Sequence, residues 1–488
     1  MEQETGSSQV SQKPKIGPYR IVAATSFGVF LSALDSSIIN VSLVTIQNSL
    51  GVGMSEIQWI VLAYLLIITS AMPLMGKLGD RFGKTIVFQV GMLIFITGSL
   101  MCALSSTLIL LVMSRILQAI GASMMTANGL ALVTYYTTPK NRGRAIGLNS
   151  IVLAGALGLG PVLGGVLTEF FGWQSIFLIN IPIGLVGFFI VKAIIPETEK
   201  VLETSFDTVG AALFFVFLFT VVYYVSVATE TSIVMTLAYF AIMIVALLGF
   251  IYRERVFCSP IIPTKVLSDR RISTSIFSAI FSYMAMVPVS YLIPYYLQEA
   301  LGFTQSATGL FLVSYPLVIS FAGPISGWVS ERVKAKYQTV FGLVVEMIGL
   351  LSLGITLGNI PLMIISVSLM SFGMSLFTVA NGNFIMTSAP KQYMGVISAL
   401  TNISRTTGFS VGIASVTAAF GWFFSYILIQ NPSLVYGVAY EQAVQSVIFT
   451  FSILIVIGLI ISAFRGLSPA EEGGKPVDDE VCLNPQEE

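Results

Sequence analysis

The sequence has no histidine, only three cysteines, and charged residues at just 10% of its 488 positions. Each shortage excludes something. Without histidine there is no Ser–His or Cys–His nucleophilic site, and the commonest metal ligand is missing. Cys102, Cys258 and Cys482 lie far apart and form no CxxC pair, so neither a zinc site nor a disulfide framework is implied. The 24 basic residues balance 24 acidic ones, which gives no general attraction to nucleic acid. A soluble chain carries about 25% charged residues, and so few cannot cover a soluble surface of this size. No enzyme activity, cofactor or metal is expected.

What the chain has in abundance is apolar length, with 55% hydrophobic residues and a mean hydropathy of +0.88. A helix needs about 20 mostly apolar residues to cross a bilayer. Fourteen such spans are predicted, and the first seven lie near 21–46, 56–76, 85–105, 107–133, 144–168, 174–195 and 207–228. The others lie near 232–252, 273–297, 306–329, 337–357, 360–388, 395–420 and 442–464. The first follows the polar stretch Met1–Tyr19, outruns a signal-peptide core and lacks a small-residue cleavage site, so it is expected to be retained. The fold class is all-α integral membrane.

Charge sets the orientation. Of the 24 basic residues, 22 fall in the tails and alternate loops, while the intervening loops hold only Glu56, Glu169, Glu230, Glu299 and Glu441. Basic loops face the cytoplasm, so both termini are expected there, in a multi-pass protein of the cytoplasmic membrane. The tail 466–488 is rich in acid, Gly and Pro without an apolar period, and is expected to be disordered.

The chain also repeats itself. A shift of 251 residues lays Gly76 on Gly327, Asp80 on Glu331, Arg81 on Arg332 and Pro139-Lys140 on Pro390-Lys391. A Phe-Gly-Trp triplet recurs at Phe171–Trp173 and Phe420–Trp422. The expected layout is a tail (1–19), a six-helix bundle (20–196), inserted helices 7 and 8 (197–256), a cytoplasmic loop (257–272), a second six-helix bundle (273–465) and the acidic tail. Two parallel six-helix repeats around a midplane site characterise many secondary transporters.

Four motifs in order carry a family likeness. Gly76-Lys-Leu-Gly-Asp-Arg-Phe-Gly-Lys84 stands between helices 2 and 3, and Leu34-Asp-Ser-Ser-Ile-Ile-Asn-Val41 in helix 1. Arg115-Ile-Leu-Gln-Ala-Ile-Gly121 stands in helix 4, and Gly155-Ala-Leu-Gly-Leu-Gly-Pro-Val-Leu-Gly-Gly165 in helix 5. Over residues 20 to 465 the chain resembles the fourteen-helix drug:proton antiporters of the major facilitator superfamily. It departs from their pattern at Ser42-Leu43-Val44, where a helix 1 proline is missing, and at Ala119, where glycine is usual. The resemblance implies conformational gating by Gly76, Asp80, Arg81, Gly83 and Lys84, through charged contacts with the other half. It also implies that the helix 5 run, with Gly160, Pro161 and Gly164, forms a seam that seals one face. Topology alone, and ordinary close helix packing, are the simpler readings of the two motifs.

Only Asp35, Arg115, Glu346 and Arg405 place a charge well inside a span. Such charges are costly and either pair or line a wet cavity. Asp35 and Arg115 are candidates for proton coupling or substrate binding, or for a structural ion pair. Glu346 has no basic neighbour in sequence, and a carboxylate buried without a cation is the kind of group that exchanges protons reversibly near neutrality. Asn40, Gln58, Tyr64, Gln118, Asn149, Tyr291, Asn381, Asn402 and Arg405 are the candidate cavity residues. Arg405 is alternatively an interface residue. The expectation is a monomeric, proton-coupled exporter, by alternating access, of drugs or other small amphipathic organic compounds, cationic or neutral. The alternative is a same-fold exporter of one natural compound, such as a lipid, peptide, siderophore or amino acid. Its expected partners are protons, that substrate and the lipid bilayer.

Overall fold

The computed structural model describes residues 18–137, 139–197, 207–228, 231–257, 268–388 and 394–466. The N-terminal tail through 17, Glu230, residues 258–267 of the expected cytoplasmic loop, Lys391 and the acidic tail after 466 lie outside the described residues.

Every regular element among the described residues is helical, as it must be where no water is available to satisfy backbone groups. The first bundle comprises α1 (Pro18–Leu50), α2 (Met54–Phe82), α3 (Lys84–Ala103), α4 (Leu108–Tyr136), α5 (Pro139–Phe171) and α6 (Ser175–Ile194). Then come α7 (Thr208–Val227) and α8 (Ile233–Val256). The second bundle comprises α9 (Arg270–Ala300), α10 (Gln305–Ser330), α11 (Ala335–Ile355), α12 (Ile360–Ser388), α13 (Met394–Gln430) and α14 (Tyr436–Ala463). Thirteen of these are long and apolar enough to cross a membrane. The fourteenth, α5, covers the predicted span 144–168, and its Gly155–Phe171 part is apolar.

Local signals set several boundaries. Thr107 accepts from the Leu110 amide at 3.3 Å at the start of α4, and Asp207 from the Gly210 amide at 2.8 Å at the start of α7, the usual N-cap arrangement. Gly83, at φ 101°, breaks the chain between α2 and α3, a conformation glycine alone adopts without steric cost. The two Phe-Gly-Trp triplets behave differently. Gly172, at φ 80°, ends α5, whereas Gly421 stays helical, so α13 continues to Gln430 and past its predicted end at 420. A glycine permits a stop without compelling one.

The contacts repeat with an offset of eight helices. α1 packs on α5 as α9 packs on α13, α2 on α4 as α10 on α12, and α3 on α4 as α11 on α12. Between the bundles, α5 meets α10 and α2 meets α13, the same pairing exchanged. Of the two inserted helices, α7 touches both α2 and α13, and α8 lies chiefly against α7. Ile233, Val245 and Leu248 on α8 are exposed, as suits a helix that is apolar all round and faces lipid.

Four acids expected in loops, Glu56, Glu169, Glu299 and Glu441, instead lie within the end turns of α2, α5, α9 and α14, and they mark one end of the molecule, the acidic end. Lys84, Arg253, Arg271 and Arg465 mark the other, the basic end. α9 is irregular: π turns at Pro288–Leu292 and Tyr296–Ala300 flank Pro294 and carry the buried Tyr291 and Tyr296. Such turns interrupt the regular hydrogen-bond ladder and recur at functional sites.

Candidate functional site

The first bundle holds a closed polar cluster around Asp35. Arg115 Nη1 donates to Asp35 Oδ2 at 2.5 Å, while Gln118 Nε2 and Asn180 Nδ2 donate to Oδ1 at 2.7 and 3.0 Å. Arg115 Nη1 also reaches Gln118 Oε1 at 2.6 Å, and its Nε donates to the Ile60 carbonyl at 3.1 Å. The Tyr64 ring lies 4.0 Å from the guanidinium carbon, a desolvated cation–π contact. Gln118 Nε2 extends the network to Ser99 Oγ at 2.8 Å. Asp35, Arg115, Gln118 and Asn180 are all fully buried. Helices α1, α2, α3, α4 and α6 therefore meet at one carboxylate.

Helix spacing explains the convergence. Arg115 and Gln118 stand three apart on α4 and share a face. Gly98 brings α3 so close that a β-carbon there would lie 2.7 Å from the Gln118 backbone. Two buried atoms of the cluster, Arg115 Nη2 and Asn180 Oδ1, have no hydrogen-bond partner among the described residues. Unsatisfied buried polar atoms are rare, and here they leave one donor and one acceptor to spare beside the ion pair.

The second bundle treats its acid differently. Glu346 on α11 is fully buried, and among the described residues its carboxylate accepts only from the Ser282 hydroxyl on α9, at 2.8 and 3.1 Å. It belongs to none of the ion pairs among the described residues. The 251-residue shift lays Glu346 on Phe95, Gly342 on Gly91 and Gly349 on Gly98. The glycines act alike in both halves: a β-carbon on Gly121 would lie 2.5 Å from the Phe95 nitrogen, and one on Gly373 2.3 Å from the Glu346 nitrogen. The scaffold is repeated, and the charge has replaced a core aromatic.

The remaining candidates scatter. Tyr64 and Gln118 join the Asp35 cluster. Asn149 accepts from Ser26 Oγ at 3.4 Å, linking α5 to α1. Asn40 is half-buried on α1, and Gln58 is buried, its amide donating to the Ser55 carbonyl at 2.8 Å. Tyr291 stacks obliquely on Tyr295, with centroids 5.7 Å apart. Asn402 accepts from Arg405 Nη2 at 3.3 Å along α13. Asn381 lies toward the basic end, where Oδ1 accepts from Arg465 Nη2 at 2.6 Å and Nδ2 donates to the Ser275 carbonyl at 3.2 Å. Asn180 and Ser282 escaped the sequence reading. A lone Asn in an apolar run and a Ser among several carry no distinctive spacing, and only the fold shows what they face.

The motifs expected to gate take definite places. Lys84 and Asp80 form an ion pair across Gly83, and Arg81 lies over the Phe82 ring at 5.5 Å. Gly76 is half-buried. Its neighbour Gly79 makes room for Asn128, whose Nδ2 donates to the Met75 carbonyl at 3.0 Å. The helix 5 run packs backbone to backbone in two directions. β-carbons on Gly160 and Gly164 would collide with Ser37 and the Ile38 carbonyl of α1, and one on Gly165 with the Gln305 carbonyl of α10 at 2.4 Å. From α10, a β-carbon on Gly309 would lie 2.2 Å from the Pro161 carbonyl. At the same acidic end, Gln298 donates to the Val41 carbonyl at 2.9 Å, Gln305 to Thr45 Oγ1 at 3.0 Å, and the Ser306 amide to Glu169 at 2.9 Å. The two bundles are thus closed against each other there.

Known proteins share this chain's family and fold. The chain matches the family model for the Major Facilitator Superfamily over residues 25–413, with a second match over 275–481. It is 32% identical to the riboflavin transporter RibZ of Clostridioides difficile, over 90% of this chain and 95% of that one. It is 28% identical to the multidrug resistance protein Stp of Mycobacterium tuberculosis, over 81% of this chain and 75% of that one. In fold it is similar to a bacterial homologue of the human lysosomal transporter Spinster, crystallised inward-facing and occupied, with a TM-score of 0.69 at 14% identity over 92% of this chain and 97% of that one. The chain belongs to the Major Facilitator Superfamily and is a multi-pass membrane transporter of that family.

Proposed function

We propose that this transporter is a proton-coupled antiporter that exports amphipathic organic compounds, and that Glu346 carries the proton. The observation that supports this reading is the contrast between the two buried acids. Protonating Asp35 would strand Arg115, and breaking a buried pair in that way costs about 3–5 kcal/mol. Protonating or deprotonating Glu346 breaks no ion pair. Ser282, with one hydroxyl proton to give, can donate to the carboxylate or accept from the carboxylic acid, so it serves both states.

Asp35 and Arg115 then serve the substrate. A cationic group competes with Arg115 for Asp35, and a neutral one uses the spare Arg115 and Asn180 atoms. Tyr64 and Phe177 provide aromatic faces beside the guanidinium. Loading with a proton and with substrate biases which end of the molecule is closed, and the α5–α10 seam is the element that closes the acidic end. With the basic end in the cytoplasm, substrate enters from inside and leaves at the acidic end.

The decisive experiment is transport in proteoliposomes with an imposed pH gradient and a panel of lipophilic cations. Glu346→Gln is expected to abolish accumulation driven by the gradient while keeping exchange of labelled for unlabelled substrate. Gradient-driven accumulation at the wild-type level in Glu346→Gln would refute the assignment. A second reading, a narrower natural substrate, is favoured by the 32% identity to a protein named for riboflavin. Riboflavin counterflow without transport of any lipophilic cation would establish it.

A further inference from the structure

Away from the proposed transport site, the basic end carries a cavity of about 370 Å³ where three helix ends converge. Its lining includes Asp269, Arg270 and Arg271 at the start of α9, Lys336 at the start of α11, and Phe464 and Arg465 just beyond α14. Four cations thus face one described carboxylate. Asp269 Oδ1 accepts the Arg271 amide at 2.7 Å and caps α9. Among the described lining residues positive charge is in excess, and such an excess attracts an anion.

Two features give the cavity the form of a built site. Arg465 is only 1% exposed, and its place is fixed from behind by Asn381 Oδ1 at 2.6 Å, Ser278 Oγ at 3.3 Å and the Phe384 ring at 4.8 Å. Phe464, beside it, is 64% exposed at the end of an apolar helix. A rim that offers cations and a bare aromatic side by side suits an amphiphile better than a simple ion. The helices that form it are membrane spans, so their ends lie at the depth of lipid headgroups, where basic pockets between helices bind anionic lipid. We propose that this cavity binds the phosphate headgroup of an anionic phospholipid, with the glycerol and first acyl carbons lying along Phe464. The site uses neither Asp35 nor Glu346 and is independent of the transport reading.

The test is lipid retention on the full-length protein, delipidated in detergent, offered phosphatidylglycerol or phosphatidylcholine and weighed by native mass spectrometry. Phosphatidylglycerol is expected to be retained selectively. The triple substitution R270Q/R271Q/K336Q should weaken that retention by on the order of a hundredfold, given the usual contribution of each interfacial cation. R270K/R271K should retain it, which separates loss of charge from loss of fold. So should R332Q/K334Q, which removes cations near the same end but off the cavity. Equal retention of the two lipids, or equal loss in the on-cavity and off-cavity variants, would overturn the proposal. Complete displacement of the lipid by millimolar inorganic phosphate would overturn it too, by assigning the site to a soluble anion.

Discussion

The Asp35–Arg115 pair makes a sharp quantitative prediction. Replacing Asp35 with Asn keeps the shape and most hydrogen bonds, but leaves the Arg115 charge fully buried among neutral groups, chiefly the Ile60 carbonyl, Gln118 Oε1 and the Tyr64 and Phe177 faces. Replacing Arg115 with Gln leaves the Asp35 charge with the two amide donors of Gln118 and Asn180. Each single change strands one charge at zero exposure and should cost about 3–5 kcal/mol. The double variant Asp35→Asn/Arg115→Gln removes both charges, so its loss should be smaller than either single loss. The cycle should therefore show a coupling of at least about 3 kcal/mol, well above the ~0.5 kcal/mol scatter of independent sites. The assay is unfolding in mixed micelles followed by tryptophan fluorescence, with transport measured in parallel. The stability order should be wild type, double variant, then either single variant, and transport should be lost in all three. If the double variant is destabilised by the sum of the two single losses, the pair does not exist as described.

Other predictions concern the seam at the acidic end. Gly165→Val and Gly309→Val should each prevent close approach of α5 and α10, because a single added β-carbon already lies 2.2–2.4 Å from a facing carbonyl. A cysteine pair replacing Thr45 and Gln305 should then cross-link several-fold more slowly than in the wild-type background, and unchanged cross-linking would count against the seam. The closure should also respond to pH. The Ser306 amide holds the Glu169 carboxyl below the usual carboxylate range in the closed form, so the contact contributes fully above that range and fades as pH falls through it. Cross-linking should weaken in acid for the wild type and lose that dependence in Glu169→Gln; an acid response retained by Glu169→Gln would refute the role given to this contact.

Composition and periodicity alone determined a great deal. Twenty apolar residues with almost no charge have no stable home but a bilayer, so the helices, their order and most of their limits follow from one-dimensional reasoning. The 251-residue repeat likewise exposed the pairing of the two bundles. The rarity of charge also singled out Asp35, Arg115, Glu346 and Arg405, because an embedded charge is conspicuous wherever it points. Partnership was not legible. Asp35 and Arg115 lie 80 residues apart, and Asn180 completes their cluster from α6. No spacing within a helix encodes a contact among five helices. The same limit hid Ser282 and left Gly421 indistinguishable from Gly172. The tertiary structure decided that one buried acid is locked to an arginine while the other faces a single hydroxyl. That difference is set by which side chains neighbouring helices bring within about 3 Å, a distance that only the packed bundle defines.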